Sequence, residues 1–191
     1  MDEAGTFSTV ADSRTLERDE ELALEARSDP RAFGVLYQRH RLAVFRYLRT
    51  RTASEDDAAE LTAIAFERAL TAMPRYRSSG GGVLAWLLRI ARNAAVDAGR
   101  RTSTVPMPTD VLDERTSGSP ETAVLDAERH AALAEAVNRL PDVQREALAL
   151  RYTAGLTARE IGAVIGKSEQ ATQKLLSRAI VALREEYGHD R

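Results

Sequence analysis

The chain has 191 residues, a formal net charge of −2 and 43% hydrophobic residues, which together predict a soluble globular protein of one large or two small domains. It contains no cysteine, so disulfides, thiol catalysis and cysteine-ligated metals are excluded within this chain. No apolar run approaches the roughly 20 residues that cross a bilayer, and the acidic first residues lack the apolar core of a signal peptide. We therefore expect a cytoplasmic protein.

The charged residues are unevenly distributed. Residues 1–30 hold nine acids and three arginines; because the whole chain holds 29 acids and 27 bases, the remainder has 20 acids and 24 bases. Residues 31–51 contain six arginines and no acid, and residues 89–101 contain four arginines and one aspartate. Clustered arginines are typical of surfaces that bind phosphate, although arginine-rich helix faces are also commonly just solvated. The three histidines lie in unrelated segments, so we predict no metal site and no cofactor.

Good helix formers dominate the chain and no β-branched alternation is sustained, which predicts an all-α protein. Asp29 and Pro30 indicate the start of a helix through residues 31–51, with an apolar face that includes Tyr37. Ser54 is expected to cap the next helix, which has acids in its first turn and ends at Pro74. A loop with the sequence RYRSSGGG follows, and then a helix that buries its tryptophan.

Residues 102–122 contain three of the six prolines together with Ser, Thr and acids, and they have no apolar periodicity. This composition predicts a flexible linker between two small helical domains. Helices resume after it, and Pro141 indicates a further helix start. The predicted organisation is a disordered acidic tail (1–18), a first domain (19–101), the linker (102–122), a second domain (123–187) and a short tail (188–191).

The segment IGAVIGKSEQATQKLL contains a Gly-Lys-Ser triplet that suggests a phosphate-binding loop. Such a loop needs a glycine five residues before the triplet, where Ile161 stands, and a buried strand before that, where the apolar spacing is helical. Thr157 and Glu160 instead form a capping box that starts a short helix, Gly166 ends it, and Ser168 caps the next one. The pattern favours a helix-turn-helix; an ordinary hairpin in a helical bundle is the alternative.

Four stretches carry a family resemblance when taken in order: DPRAFGVLYQRHRLAVFRYL, DDAAELTAIAFERAL, RYRSSGGGVLAWLLRIARNAAVDAGRR and LPDVQREALALRYTAGLTAREIGAVIGKSEQATQKLLSRAIVALRE. They resemble the extracytoplasmic-function group (group IV, σ70-type) of bacterial RNA polymerase sigma factors over about residues 22 to 187. The resemblance implies a σ2-like domain that recognises the −10 promoter element and the polymerase clamp. It also implies a σ4-like helix-turn-helix domain that recognises the −35 element and the polymerase flap.

By motif, the resemblance implies three sets of site residues. For the −35 element these are Ser168, Glu169, Gln170, Thr172, Gln173, Lys174, Ser177 and Arg178. For the −10 element they are Arg75, Tyr76, Arg77, Ser78, Ser79, Arg89, Arg92, Asn93, Arg100 and Arg101. Polymerase contact is implied for Asp57, Glu60, Leu61, Phe66 and Arg68. Tyr76 is expected to offer its ring for base stacking, which single-strand binding uses.

The resulting hypothesis is a sigma factor with no enzymatic chemistry, whose partners are core RNA polymerase, promoter DNA and an anti-sigma factor. A stand-alone helix-turn-helix regulator is the alternative, and it leaves the tryptophan segment without a role. With a flexible linker, both DNA-reading surfaces are expected to be exposed in the isolated chain. Two hypotheses remain for the acidic residues 1–30: that they cover the arginine clusters of the body, or that they are solvated.

Overall fold

The computed structural model describes residues 13–78, 81–99 and 131–188. Within these ranges the chain forms helices and contains no strand, which confirms the all-α prediction. The linker predicted at 102–122 lies outside the described residues. The helices are α1 (Ser13–Glu25), α2 (Pro30–Arg49), α3 (Glu55–Ala72), a 3₁₀ turn (Met73–Arg75), α4 (Gly82–Gly99), α5 (131–139), α6 (Asp142–Ala154), α7 (Ala158–Ile165) and α8 (Glu169–Gly188).

Helix α1 begins earlier than expected, because residues 13–18 belong to it and not to a disordered tail. Ala23 and Ala26 are buried, and Leu22 packs against the same core from a partly buried position. Burying an apolar face in this way stabilises a helix that a charge-rich sequence would not hold alone. The prediction of a disordered 1–18 segment is therefore wrong from Ser13 onward.

The predicted helix boundaries in the first domain are confirmed. The Asp29 side chain accepts a hydrogen bond from the Arg31 amide over 2.8 Å, and Pro30 occupies the first turn of α2. Ser54 accepts from the Asp57 amide over 3.0 Å at the start of α3. Helix α3 ends at Ala72, before the proline that was expected to stop it.

Edge-to-face contacts between aromatic rings hold the helices of the first domain together. The ring of Phe66 in α3 packs edge-to-face against two rings of α2. Its centroid lies 6.4 Å from that of Phe33 and 4.9 Å from that of Tyr37. Tyr76 and Trp86 make a third such pair, at 5.1 Å. Tyr37 was expected to face inward, but it lies at the rim and keeps 38% of its surface exposed.

The two domains contact each other directly, α2 against α6 and α4 against α7. One buried apolar cluster runs through both, joining Leu36 and Leu87 of the first domain to Leu150 and Ile161 of the second. Gly81 lies at this contact, since a Cβ added there would be 3.0 Å from the Cβ of Ala163. The domains are therefore packed against each other in this conformation, and most of the described side chains that were expected to read DNA remain exposed.

Candidate nucleic-acid interface

Local chemistry builds the helix-turn-helix. Thr157 and Glu160 form the predicted capping box at the start of α7, and Gly166 ends that helix in the left-handed conformation, with φ 72°. The Ser168 hydroxyl accepts a hydrogen bond from the Ala171 amide over 3.2 Å, which caps α8. Each of these three predictions is confirmed. A left-handed residue at this position favours glycine because it lacks a Cβ.

Gly162 has a structural role in the turn. Its carbonyl accepts a hydrogen bond from the Lys167 amide over 2.9 Å. A Cβ at position 162 would be 2.5 Å from the Lys167 carbonyl oxygen and 3.2 Å from the Thr172 hydroxyl. The glycine thus permits the close approach of α7 and α8 that sets the geometry of the motif.

The start of α8 presents a polar face to solvent. All but one of the side chains predicted to read the −35 element are exposed there: Ser168, Glu169, Gln170, Gln173, Lys174, Ser177 and Arg178. Thr172 is the exception, because it is fully buried and its hydroxyl donates to the Ser168 carbonyl over 3.0 Å. Thr172 therefore holds the recognition helix in place, and the expectation that its side chain is offered to DNA does not fit this structure.

The described −10 candidates include five exposed side chains and one buried ring. Exposed side chains are those of Arg75, Arg77, Ser78, Arg89 and Asn93. Ser79, Arg100 and Arg101 lie outside the described residues. Tyr76 is only 2% exposed, packs on Trp86, and donates its hydroxyl to Glu20 Oε1 over 2.8 Å. Burial and this acidic acceptor raise the pKa of the Tyr76 phenol. The expectation that Tyr76 offers its ring for base stacking is therefore wrong in this conformation.

Arg92, another −10 candidate, contacts the second domain. Its Nε donates to Glu146 Oε1 of α6 over 2.8 Å, and its side chain is 31% exposed. The same oxygen accepts from the Tyr47 hydroxyl over 3.0 Å and lies 3.3 Å from Arg51 Nη1. The Arg51 guanidinium also lies over the Tyr47 ring, 5.6 Å from its centroid. We call these four residues the Glu146 cluster.

Charge and burial explain the electrostatics of the Glu146 cluster. Burial lowers the pKa of Arg92, but the hydrogen bond and the charge of Glu146 outweigh that effect and raise it. Burial raises the pKa of the Tyr47 phenol, so Tyr47 stays a hydrogen-bond donor. Removing one partner of this buried ion pair is expected to destabilise the fold, because it leaves an uncompensated charge in a poorly solvated site.

Sequence reasoning missed Glu146 as a site residue. Ala149 and Leu150, three and four residues further along α6, are buried, and a residue on the same face of the helix is expected to be buried with them. Buried carboxylates need cationic or hydrogen-bonding partners. The run EALAL was therefore a usable signal that Glu146 meets arginine, although it could not identify which arginines.

The residues expected to contact polymerase lie mainly on one side of α3. Asp57, Glu60 and Arg68 are exposed, and Arg68 pairs with Asp97 of α4 over 2.9 Å. Leu61 is half-buried. Phe66 is a core residue beneath Phe33 and Tyr37, so the expectation that its side chain contacts a partner does not fit this structure.

Asp19 of helix α1 pairs with an arginine of residues 31–51, the first of the two arginine-rich segments. Asp19 is buried, its Oδ1 accepts from Arg39 Nη1 over 2.5 Å, and its Oδ2 lies 3.1 Å from His40 Nε2. Burial raises the pKa of the Asp19 carboxyl, but the polar contacts and charges of His40 and Arg39 outweigh it and hold that pKa below its ordinary value. The acidic N-terminal segment therefore covers part of this cluster, through one buried aspartate.

In the part of the chain that the structure describes, no group of three or more His, Asp or Glu side chains could hold a metal ion. No helix among residues 13–78, 81–99 and 131–188 is long and apolar enough to span a membrane.

Comparison with known proteins identifies the family. Residues 36–104 match Sigma-70 region 2 and residues 130–183 match Sigma-70, region 4. The ECF RNA polymerase sigma factor SigD of Mycobacterium tuberculosis is 33% identical over 168 residues, which cover 83% of this chain and 78% of SigD. The chain belongs to the ECF family of RNA polymerase sigma factors. The ECF RNA polymerase sigma factor BldN of Streptomyces coelicolor is 36% identical over 155 residues, which cover 80% of this chain and 59% of BldN.

A solved structure has a fold similar to that of this ECF sigma factor. CnrH, solved in complex with the cytosolic domain of CnrY, is 26% identical with a TM-score of 0.66, over 91% of this chain and 99% of CnrH. Helix α7 and residues 169–183 of α8 fall within the region 4 match, and α3 and α4 fall within the region 2 match. The Glu146 cluster of this ECF sigma factor therefore joins region 4 to region 2.

Proposed function

We propose that this ECF sigma factor binds core RNA polymerase, directs it to promoters and initiates transcription. In this proposal α8 reads the −35 element in the major groove, and the loop and polar face around α4 read and open the −10 element. The observation that carries the proposal is the presence in one chain of a region 2 match and of a region 4 helix-turn-helix whose recognition face is exposed. The chain acts in the cytoplasm and supplies no catalytic group of its own.

The charged face of α3 supports the proposed polymerase contact. The exposed side chains of Asp57, Glu60 and Arg68 form a charged surface on α3. Charged, exposed side chains suit a reversible interface, because they remain solvated when the partner is absent. We assign this face of region 2 to the clamp and region 4 to the flap.

A protein partner is also part of the proposal. CnrH was solved in complex with the cytosolic domain of CnrY. In this proposal an anti-sigma factor binds this chain and restrains it. Because the chain has no cysteine, redox sensing through thiols would have to reside in such a partner.

The test combines capture and transcription. Purified chain is mixed with bacterial core RNA polymerase, captured by a tag, and then used in run-off transcription on fragmented genomic DNA with mapping of transcript 5′ ends. We expect stoichiometric capture and initiation at sites that share a −35 and a −10 sequence. Binding to duplex DNA without polymerase capture would instead identify a stand-alone helix-turn-helix regulator and refute the proposal.

A further inference from the structure

Tyr76 anchors the chain where it leaves α3 on the way to α4. Its side chain is buried and packs edge-to-face on Trp86, while both of its neighbours, Arg75 and Arg77, are exposed. The backbone at Tyr76 is extended, with φ −55° and ψ 134°, and neighbouring side chains of an extended backbone point away from each other. Burial of this one ring therefore determines the direction in which the two arginines project.

Helix α1 holds this anchor through Glu20. The Tyr76 hydroxyl donates to Glu20 Oε1 over 2.8 Å, and a Cβ built on Gly82 would lie 3.8 Å from the same oxygen. Gly82 is the first residue of α4 and has a φ of 74°. The half-buried Glu20 carboxylate thus lies beside the last turn before the connection to α4 and beside the first residue after it.

The position of Glu20 is itself fixed by its neighbours on α1. Asp19 pairs with Arg39 and His40 of α2, and Ala23, one turn later, is buried. Helix α1 contacts both α2 and α4. Because these contacts already hold α1 in place, Glu20 needs little further ordering to accept the Tyr76 hydroxyl.

Ser78, an exposed −10 candidate, is close to the same phenol. Burial and the contact with Glu20 raise the pKa of the Tyr76 phenol, whereas the Ser78 side chain lowers it, as a nearby hydroxyl donor does. The hydroxyl that Glu20 holds is therefore also a neighbour of a side chain that is proposed to contact the −10 element.

We infer that Glu20 is a positioning residue for −10 recognition: through the Tyr76 hydroxyl it fixes the directions of Arg77 and Ser78. This inference rests on the proposed function of region 2. Glu20 acts through Tyr76 and does not touch DNA. Binding groups that are already held in place lose less conformational freedom when the nucleic acid binds, so loosening them weakens recognition.

Variants of the two partners test the bond from both sides. Glu20→Ala removes the acceptor, and Tyr76→Phe removes the donor but keeps the ring that packs on Trp86. Glu20→Gln keeps the side-chain shape and a neutral oxygen acceptor, so it should restore most of what Glu20→Ala loses. Glu21→Ala is the matched control, because it removes a carboxylate from the next, exposed position of α1. Circular dichroism confirms that each variant is folded before use.

Two measurements separate local order from promoter recognition. In the chain alone, acrylamide quenching of Trp86, the single tryptophan, reports how well the Tyr76 ring covers it. In the holoenzyme, run-off transcription compares a promoter located by mapping transcript 5′ ends with versions substituted in the −10 or the −35 element. The ratio of the two rates is the discrimination at that element, and it does not depend on the fraction of active protein.

Glu20→Ala and Tyr76→Phe should each raise the quenching of Trp86 and lower discrimination at the −10 element. We expect a loss of about tenfold, the factor for one hydrogen bond to a charged acceptor. Discrimination at the −35 element should stay unchanged, and Glu21→Ala should match the wild type throughout. The double variant should lose no more than either single variant, because both changes remove the same bond.

Several outcomes overturn the inference. Discrimination at the −10 element that stays at the wild-type level in both single variants does so, and so do equal losses at the two elements. Additive losses in the double variant, unchanged quenching, or a Glu21→Ala loss equal to that of Glu20→Ala also overturn it. A wild-type chain that captures no core polymerase instead refutes the proposed function, and the inference falls with it.

Discussion

The hydroxyl of Tyr47 donates to Glu146 Oε1 over 3.0 Å and joins two residues that are 99 positions apart in the chain. Tyr47 is fully buried, so this hydroxyl has little access to water. The bond therefore contributes to the stability of the packed domains as well as to their relative placement.

Removing that hydroxyl gives a stability prediction. Tyr47→Phe leaves the ring in place and deletes one donor to a buried, charged acceptor, which should lower the free energy of unfolding by about 1–3 kcal/mol. Urea denaturation followed by circular dichroism measures the shift. Tyr152→Phe is the control, because Tyr152 is 72% exposed and its hydroxyl should contribute within about 0.5 kcal/mol. Equal midpoints for the two variants would show that the Tyr47 bond does not stabilise the fold.

The pairing of Asp19 with Arg39 and His40 predicts acid sensitivity. Because the folded state holds the pKa of Asp19 below its ordinary value of 3.8, this carboxylate stabilises the fold above that pH. The stabilisation is lost as the pH falls through the lower folded-state pKa. Wild type should therefore lose more stability between about pH 6 and about pH 3 than Asp19→Asn does. Urea midpoints at both pH values measure the difference.

Glu21→Gln provides the control for that experiment, because Glu21 is exposed on the same helix. Its acid dependence should match that of the wild type. Parallel pH profiles for wild type and Asp19→Asn would mean that the Asp19 pairing makes no net contribution to the attachment of α1.

Two glycines in helices should respond in opposite directions to alanine. Gly162→Ala places a Cβ 2.5 Å from the Lys167 carbonyl oxygen, so the turn must shift and stability should fall by about 1–3 kcal/mol. Gly34→Ala meets no atom within 4 Å in α2 and should raise stability by roughly 0.5–1 kcal/mol. Thermal or urea unfolding measures both. A neutral Gly162→Ala would show that the helix-turn-helix tolerates a wider separation of α7 and α8.

The exposed cationic side chains of α8 predict that the affinity for promoter DNA depends on salt concentration. In the Lys174→Ala, Arg178→Ala double variant, binding of the holoenzyme to an upstream promoter element should weaken, and the slope of log affinity against log salt should fall by about 0.9 for each phosphate that is no longer neutralised. Arg184→Ala, exposed further along the same helix, should leave the slope unchanged. Fluorescence anisotropy at several salt concentrations measures it. A double variant with the wild-type slope would place Lys174 and Arg178 outside the interface.

Short-range chemistry explains what could be predicted about the helix-turn-helix. The Thr157–Glu160 capping box, the left-handed Gly166 and the Ser168 cap each act within four residues along the chain. Their energies depend on backbone groups that are always nearby, so the residue types alone indicate the geometry. The same holds for Asp29 and Ser54, whose side chains accept from amides two and three residues later.

The sequence did not reveal which aromatic side chains lie in the core and which are available to bind a partner. Tyr76 and Phe66 both occur in motifs associated with binding, yet one is packed on Trp86 and held by Glu20, and the other lies beneath Phe33 and Tyr37. An aromatic ring has a similar hydrophobic gain in a core or against a ligand. Only the three-dimensional neighbours determine which of these it meets.

Helical periodicity determined by itself that this chain is all-α, and the spacing of its caps and prolines determined where most helices begin and end. The tertiary structure alone decided that α1 starts at Ser13, that Asp19 pairs with Arg39, and that Glu146 meets Arg51 and Arg92. The physical reason is the range of the interactions: caps and helical periodicity are properties of neighbouring residues. Ion pairs between distant segments instead depend on how whole helices pack to bury their apolar faces.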